Sequence, residues 1–376
     1  MRLAFAIPSL ERGGAQRVVT TLANHWAACG WEVSIVTLAS SAQAPAYPLD
    51  RRVSIINLDA TADSGTPVEA LLANLRRAGR IRVAIRRARP DAVVSFMLSM
   101  NVLVLLACAG LRLRVVVSER AHPPAAGGPR VWRLLARVLY QGASAVVVQT
   151  RAAVGFFGAG IAARCRVIPN PVDGRRFIAR GAGDRPRRVI AAMGRLDVEK
   201  GFDLLIRAFA AAAGDMPGWR LEIWGTGPEH GRLSSLIASL GLASRASLMG
   251  ATTAPEAVYR TAGAFVLPSR SEGYPNVLCE AMACGAPVIA FDCPSGPAEI
   301  VEHERTGLLV AAEDTAALAA AMRRVAQSPA LREALGARAD AIRTRLAPER
   351  IAAAWAEVLA ASSPAPAPVE AQRVWR

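Results

Sequence analysis

Short apolar runs alternate with longer segments of helical periodicity along the first half of the chain. An apolar run at residues 3–7 precedes a helical pattern over 15–29, and a second apolar run follows at 33–38. This order predicts a βαβ unit of a parallel sheet, with Gly30 ending the helix. Further strands are predicted at 92–96, 115–117 and 145–148. We therefore expect one open α/β domain over residues 1–170.

The same alternation starts again in the second half, after a change in composition. Asn170, Pro171 and Asp173 carry turn chemistry, and residues 175–188 are rich in arginine, glycine and proline, which places a domain junction there. Strands are predicted at 189–193, 220–224, 246–249, 264–267 and 287–290. The predicted domains cover 1–170 and 171–346, and a helix over 347–361 and a disordered tail over 362–376 follow.

Two parallel sheets joined by a hinge predict a cleft lined by the carboxyl ends of their strands, where ligands of such folds bind. A chain of 376 residues, 52% of them hydrophobic, can bury two cores. The six cysteines lack metal-ligand spacing and are interpreted as core residues of a reduced, cytosolic protein. The N-terminus is a poor signal peptide, and the longest apolar stretch, 102–111, predicts a buried helix because a membrane span needs about twice that length.

The net charge of +15 changes this picture, because it indicates an anionic partner or surface. Nucleic acid is one such partner, but the chain has no zinc-finger spacing, no aromatic RNA-binding motif and only 5% aromatic residues. We therefore expect no nucleic acid. A phosphorylated small molecule and an anionic membrane fit equally well.

Two loops that follow predicted strands are candidates for binding an anion. Gly13 and Gly14 follow the first strand and open a helix, so backbone amides there could face a phosphate, although glycine in a tight turn explains them equally well. Arg195 and Lys200 follow the strand at 189–193, and two cations at that edge suit a diphosphate. Lys200 is the only lysine in the chain. The alternative for Lys200 is a solvated lysine at the start of a helix.

The segment from Pro268 to Gly285 is the most informative of the sequence, because it follows a strand and opens a helix. Glu272 lies in the predicted loop, and Glu280 lies about two helical turns beyond it. Carboxylates accept hydrogen bonds from sugar and ribose hydroxyls, and amides at a helix start can meet phosphate. This combination predicts a nucleotide-sugar site. The alternative is ordinary helix chemistry, with Glu280 on the surface. The candidate donor-binding residues of this segment are Glu272, Gly273, Pro275, Asn276, Val277 and Glu280.

Four motifs together resemble glycosyltransferase family 4, over nearly the whole chain. They are Gly13-Gly14, Gly194-Arg195-Leu196 with Glu199-Lys200-Gly201, the run from Gly225 to Glu229, and Glu272-x7-Glu280. The resemblance implies the GT-B fold, two Rossmann-like domains facing each other across a cleft, with retention of anomeric configuration and no metal or other cofactor. It further implies that Arg195 and Lys200 hold the donor diphosphate, Glu272 the transferred sugar and Glu280 the ribose.

One departure from the family concerns a histidine that many members place after the strand at 115–117, against the donor sugar. This chain has Arg120 and His122 after that strand, and either could take the role. The resemblance also implies that the leaving phosphate assists the incoming hydroxyl. Arg195, Lys200 and helix amides would then stabilise the charge on the departing diphosphate.

The acceptor side has one conspicuous feature, a predicted basic amphipathic helix over residues 71–89. Its apolar stripe and its arginines lie mostly on different faces, so the helix could bind anionic lipid headgroups or a polyprenyl-diphosphate-linked acceptor. Packing of the stripe on its own sheet is at least as good an interpretation. The stripe consists of Leu71, Leu75, Ala78, Ile81, Ile85 and Ala88, and the arginines are Arg76, Arg77, Arg80, Arg86 and Arg87.

Together these features predict a transferase that moves a hexose or N-acetylhexosamine from a UDP- or GDP-sugar, UDP being favoured, to a lipid-linked or polysaccharide acceptor in surface glycan synthesis. We expect it in the cytoplasm, with peripheral contact to the inner face of the plasma membrane. The rival enzymes are a nucleotide-sugar epimerase and a phosphorylase of the same architecture. The rival without activity is a basic nucleic-acid or membrane adaptor with a degenerate site.

Overall fold

The computed structural model describes residues 1–61, 66–120, 130–181, 184 and 186–361. They form two compact units. Unit 1 comprises Met1–Pro171 together with the segment that starts at Pro348, and unit 2 comprises Val172–Ala347. His122 lies outside the described residues, and so does the predicted tail.

Unit 1 is built on a parallel sheet whose seven described strands lie in the order β3-β2-β1-β4-β5-β6-β7. The strands are β1 (Arg2–Ile7), β2 (Glu32–Thr37), β3 (Ser54–Asn57), β4 (Ala92–Phe96), β5 (Arg114–Ser118), β6 (Ala145–Val148) and β7 (Cys165–Val167). The helices are α1 (Gly14–Ala28), α2 (Pro67–Ala88), α3 (Leu98–Cys108), α4 (Arg130–Leu139), α5 (Arg151–Val154) and α6 (Ala159–Ala162). The central strands are fully buried, as expected for a parallel sheet covered on both faces.

Unit 2 repeats this plan with a parallel sheet whose six described strands lie in the order β10-β9-β8-β11-β12-β13. The strands are β8 (Val189–Met193), β9 (Arg220–Trp224), β10 (Ala246–Gly250), β11 (Ala264–Leu267), β12 (Val288–Asp292) and β13 (Leu308–Ala311). The helices are α7 (Phe202–Ala212), α8 (His230–Ser239), α9 (Pro255–Thr261), α10 (Asn276–Ala283), α11 (Pro297–Ile300), α12 (Thr315–Gln327), α13 (Pro329–Ala339) and α14 (Ile342–Arg345).

The last helix, α15 (Pro348–Ala360), returns to unit 1. It packs against α1, and its Trp355 is fully buried with its ring stacked 5.9 Å from that of Phe96. The guanidinium of Arg114 donates a hydrogen bond to the carbonyl of Leu359 near the helix end. Large aromatic burial fixes this helix to the unit that begins the chain.

The strands that the sequence pattern does not predict are β3, β7 and β13, and each lies at an edge of its sheet. Edge strands are short and half-exposed, so their apolar pattern is weak. The cysteines follow the prediction with one exception. Cys29 is exposed just beyond α1, whereas the other five are buried.

The predicted amphipathic helix exists as α2, but its apolar stripe divides into two parts. Ala78, Ile81 and Ile85 are buried in the core of unit 1, whereas Leu71 and Leu75 are exposed. The second half of the stripe therefore packs on its own domain. Two of the predicted arginines, Arg77 and Arg80, also contact their own domain, because they donate hydrogen bonds to backbone carbonyls of residues 58–60.

Candidate functional site

The clearest candidate site lies at the carboxyl edge of the unit 2 sheet, where Lys200 and Glu272 form an ion pair. Lys200 ends a single helical turn after β8, and Glu272 lies in the loop after β11, which pairs with β8 in the sheet. The lysine ammonium is 2.7 Å from Glu272 Oε1. Ser269 donates its hydroxyl to the same oxygen at 2.6 Å. Two segments 72 residues apart in sequence thus meet at one carboxylate.

This ion pair is largely removed from water, with the two side chains 26% and 8% exposed. Burial acts to lower the pKa of Lys200, but attraction to Glu272 and the hydrogen bond to it prevail and raise that pKa. Lys200 is therefore a fixed cation, and a solvated lysine at a helix start is the wrong description.

Arg270 fastens the two segments together, a role that the sequence pattern does not indicate. Its guanidinium binds Asp203 through two hydrogen bonds of 2.9 and 3.0 Å and also reaches the carbonyl of Val198. Its backbone amide donates to the carbonyl of Glu199. The turn that carries Lys200 is held against the loop that carries Glu272 by a forked, charge-assisted contact.

Two glycines allow these loops to approach each other. Gly201 has a φ of +62°, and a Cβ there would lie 2.0 Å from the carbonyl oxygen of Pro268. Gly225 has a φ of +141°, and a Cβ there would lie 1.8 Å from the carbonyl oxygen of Gly194. Only glycine fits at either position, so these motif residues shape the site rather than bind a ligand through a side chain.

Glu280 lies in α10 and is only 3% exposed, so its interpretation as a surface residue is wrong. The hydroxyl of Tyr259, on α9, lies 3.2 Å from Glu280 Oε2 and can donate to it. The ring of Tyr259 packs edge-on against Phe265 of β11, which holds the hydroxyl in place. The fold therefore buries the Glu280 carboxylate and holds it with a hydrogen-bond partner.

The remaining candidates in unit 2 surround these two glutamates. Pro275 directly precedes α10, which begins at Asn276 and continues through Val277, so the amides of the helix start follow the Glu272 loop. The carbonyl of Gly273 accepts a hydrogen bond of 3.3 Å from the Ser295 hydroxyl. Arg195 differs from Lys200 because its side chain is 73% exposed and lies 3.7 Å from Asp197.

In unit 1, Gly13 is the residue before α1 and Gly14 is its first residue, as the sequence predicts. The long helix α1 thus begins at the carboxyl end of β1. The start of α1 offers backbone amides that can bind an anion, and the two glycines also permit a tight turn.

Arg120 is half-buried, its guanidinium Nε and Nη2 are buried, and it has no carboxylate partner among the described residues. Its guanidinium lies 4.6 Å from the centroid of the Phe96 ring and donates to Asn170 Oδ1 at 2.7 Å. Its Nε and Nη2 have no hydrogen-bond partner in the described structure. Burial lowers the pKa of Arg120 to about 9. Unpartnered buried donors of this kind suit a ligand that supplies acceptors.

Glu119 precedes Arg120 and is also buried. The Tyr140 hydroxyl donates to Glu119 Oε1, and the Asn101 amide lies 3.3 Å from the same oxygen. Burial raises the pKa of Glu119, and the hydrogen bonds from Tyr140 and Asn101 oppose that shift only in part. Sequence reasoning missed this cluster because its members lie on separate elements.

The described residues show neither a metal-binding cluster nor a membrane-spanning helix. No group of three or more histidine, cysteine, aspartate or glutamate side chains is arranged to hold a metal ion there. No described helix combines the length and the apolar character that crossing a membrane requires.

Both halves of the chain are similar to known proteins. The family described as Glycosyl transferase 4-like domain matches residues 13–171, and that described as Glycosyl transferases group 1 matches residues 187–328. An exopolysaccharide phosphotransferase of Streptomyces coelicolor is 30% identical over 93% of this chain, and the chain spans 39% of the length of that relative.

A Campylobacter jejuni enzyme is similar over most of both chains. It is the GalNAc-alpha-(1->4)-GalNAc-alpha-(1->3)-diNAcBac-PP-undecaprenol alpha-1,4-N-acetyl-D-galactosaminyltransferase, 26% identical over 85% of this chain and 87% of that one. Among solved structures, Anabaena HepE in complex with UDP has a TM-score of 0.79 at 21% identity, covering 96% of this chain and 99% of that one. The likeness to HepE extends over both units.

Proposed function

The chain belongs to glycosyltransferase family 4, the group 1 glycosyl transferases, and we propose that it moves a hexose or an N-acetylhexosamine from a UDP-sugar to a glycan acceptor. It has the GT-B fold of two parallel-sheet α/β domains. The ion pair between Lys200 and Glu272 carries the proposal, because it puts a cation for a diphosphate beside a carboxylate for sugar hydroxyls.

In the proposed complex, Lys200 and Arg195 bind the diphosphate, Glu272 binds the transferred sugar and Glu280 binds the ribose. An ammonium group has three donors, so Lys200 can keep its contact with Glu272 while it binds a phosphate oxygen. The start of α10 offers backbone amides to the same phosphates. Lys200, Glu272 and Glu280 are groups that the unit 2 fold already holds in place, whereas Arg195 reaches the diphosphate from an exposed position.

We further propose that transfer retains the anomeric configuration and needs no metal ion. The leaving phosphate would accept the proton of the incoming hydroxyl on the same face of the sugar. Lys200 and Arg195 would stabilise the charge that grows on the departing diphosphate. Turnover should therefore persist in EDTA, and activity that vanishes under chelation and returns with Mg²⁺ or Mn²⁺ would contradict this part of the proposal.

In unit 1, Arg120 is the described candidate for the group that meets the donor sugar. Two of its buried nitrogens have no hydrogen-bond partner among the described residues, which supports an oxygen-rich ligand there. His122 stays the alternative that the family pattern leaves open.

We propose a lipid-linked or polysaccharide acceptor, reached from the cytoplasmic face of a membrane. The name of the Campylobacter relative describes a glycan on undecaprenyl diphosphate, which supports a lipid-linked acceptor. The surface of unit 1 supports contact with lipid. In α4, Val131, Leu134 and Val138 are 53%, 62% and 65% exposed. The same short helix carries three arginines, namely Arg130, Arg133 and Arg137.

The membrane surface that we propose comprises α4 and the first half of α2, because both helices pack against α3. Apolar side chains flanked by arginines suit an anionic bilayer surface. Purified protein should sediment with vesicles containing anionic phospholipid and dissociate as salt rises. Leu134→Gln should weaken this binding, and Ile178→Gln, an exposed isoleucine of unit 2, serves as the matched control. Equal binding to neutral vesicles would refute the membrane surface.

Calorimetry with UDP, GDP and their sugars tests the donor proposal. We expect UDP to bind, GDP to bind more weakly, and the UDP-sugar that is the donor to be hydrolysed or transferred slowly. Absence of binding by any of these nucleotides would remove the transferase proposal and leave a binding protein with a degenerate site. Interconversion of a UDP-sugar without transfer would instead identify an epimerase.

A further inference from the structure

Unit 2 contains a cavity that the proposed function does not use. Its volume is about 640 Å³. Four arginines line it, namely Arg180, Arg187, Arg188 and Arg332, and Trp219 and Gly336 form part of its wall. Cavities of this size hold whole small molecules rather than single ions.

This cavity lies at the amino edge of the sheet, opposite the Lys200–Glu272 pair. Arg188 directly precedes β8, and Trp219 directly precedes β9. Lys200 and Glu272 follow the carboxyl ends of β8 and β11. A ligand in the cavity would therefore leave the proposed donor site free.

The charges around the cavity are not balanced by ion pairs. Arg187 is paired with Glu222 at 3.1 Å, but Arg180, Arg188 and Arg332 form no ion pair with a described residue. The acidic side chains of the lining are Glu333 and Asp340, and Asp340 is paired with Arg343 at 3.0 Å. The lining thus keeps an excess of positive charge.

The described hydrogen bonds of two of these guanidinium groups go to backbone carbonyls. The Arg180 guanidinium donates to the carbonyls of Tyr259 and Ala262, and its Nε is buried without a partner. The Arg332 guanidinium donates to the carbonyls of Val325 and Ala326 and lies 5.4 Å from the Trp219 ring centroid. Both guanidiniums are therefore held beside the cavity.

Burial lowers the pKa of two of these cations, and their closeness, which is electrostatically unfavourable, adds to the shift. Burial, and then repulsion by Arg188, lowers the pKa of Arg332. Burial lowers the pKa of Arg180 to about 10, and Arg332 contributes to that shift. Like charges that are partly removed from water are stabilised when an anion joins them.

We propose that this cavity binds a small phosphate-bearing metabolite. Guanidinium groups present forked donors that match phosphate oxygens, and the Nε of Arg180, which has no partner among the described residues, and the exposed side chain of Arg188 supply such donors. The remaining volume accommodates the organic part of the molecule. This site is independent of the proposed glycosyl transfer.

The test uses inorganic phosphate and a phosphorylated hexose, titrated by calorimetry at constant ionic strength into the full chain. Arg188→Glu is the informative variant, because Arg188 lines the cavity and is exposed. Arg207→Glu makes the same charge change at an exposed position of α7 and is the matched control. We expect Arg188→Glu to weaken binding at least about tenfold and Arg207→Glu to leave it unchanged.

A third variant separates the cavity from the opposite edge of the sheet. In Lys200→Gln the binding that depends on Arg188 should persist. The proposal is overturned if the parent protein binds neither probe, if Arg188→Glu binds like the parent, or if Arg207→Glu weakens binding equally. It is also overturned if the binding disappears in Lys200→Gln, which would place the phosphate at the carboxyl edge. A phosphorylated hexose that binds no more tightly than inorganic phosphate would overturn the proposed class of ligand.

Discussion

Buried charged side chains at the carboxyl edges of the two sheets have different kinds of partner, charged in unit 2 and neutral in unit 1. In unit 2, Lys200 is paired with Glu272 and Arg270 with Asp203, at 2.7 and 2.9 Å. In unit 1, the described partners of Glu119 are the neutral residues Tyr140 and Asn101. The charges of Lys200, Glu272, Arg270 and Asp203 in unit 2 are therefore paired before a ligand arrives, whereas the Glu119 carboxyl group in unit 1 has no described cationic partner.

The pKa shifts of these side chains favour the charged form in unit 2 and the neutral form in unit 1, and they indicate different roles. Ion pairing raises the pKa of Lys200 despite burial, so its positive charge is secure. Burial prevails in unit 1, where it raises the pKa of Glu119 and lowers that of Arg120. Fixed charge suits a site that stabilises a departing diphosphate. Unsatisfied charge suits a site that a ligand must complete.

The largest expected effect comes from substituting the two glutamates of unit 2 one at a time. Glu272→Gln should lower turnover about 100-fold, the size typical of one lost transition-state contact, and alter UDP affinity little. Glu280→Gln should do the reverse and weaken UDP binding about tenfold, since it removes a charged hydrogen-bond acceptor. Steady-state kinetics and calorimetry on both variants provide the comparison. Parent-like behaviour of both would show that the sugar and ribose assignments are wrong.

A smaller effect is expected from Lys200→Arg, which preserves charge and changes geometry. A compact ammonium fits between Glu272 and a phosphate oxygen, whereas a planar guanidinium needs more room and a forked partner. We expect activity to fall at least about tenfold, equivalent to roughly 1.4 kcal/mol of transition-state stabilisation. Thermal unfolding is the control for folding. Unchanged kinetics in the folded variant would remove Lys200 from the site.

The smallest effect concerns stability and tests the unit 1 half of the comparison. Because the folded-state pKa of Glu119 is raised, its ionisation opposes folding, and stability should fall as pH rises above about 4.5. Glu119→Gln keeps an oxygen that accepts from Tyr140 and Asn101 but cannot ionise. We expect this variant to gain about 1 kcal/mol at neutral pH by denaturant unfolding, and to match the parent near pH 4. Destabilisation at pH 7 would mean that the carboxylate is needed as a charge.

Much of the fold followed from the hydrophobic pattern, and the GT-B fold class is confirmed. The predicted strands at 92–96, 189–193 and 264–267 have the bounds that the structure shows, because fully buried strands are continuous apolar runs. The exposed apolar face of α4 was not predicted. Val131, Leu134 and Val138 recur at helical spacing, which does not distinguish a face packed on the core from an exposed one, and only the tertiary structure shows that they are exposed.

The candidate site was predictable where one motif carries it and unpredictable where tertiary contact does. Glu272 and Glu280 stand in one segment, so the two carboxylates and the helix start indicated a candidate site there, with ordinary helix chemistry as the alternative. Arg270 could not be assigned its role, because its partner Asp203 is 67 residues away in sequence. The same holds for Tyr259, whose hydroxyl reaches Glu280 from another helix.

Hydrogen exchange with and without UDP tests most directly whether the donor binds at the carboxyl edge of the unit 2 sheet. Backbone amides exchange more slowly where a ligand orders or covers them. We predict that UDP slows exchange in residues 194–201 and at the start of α10, with little change around Arg120 or in the arginine-lined cavity. Protection confined to unit 1, or to the amino edge of the unit 2 sheet, would contradict it.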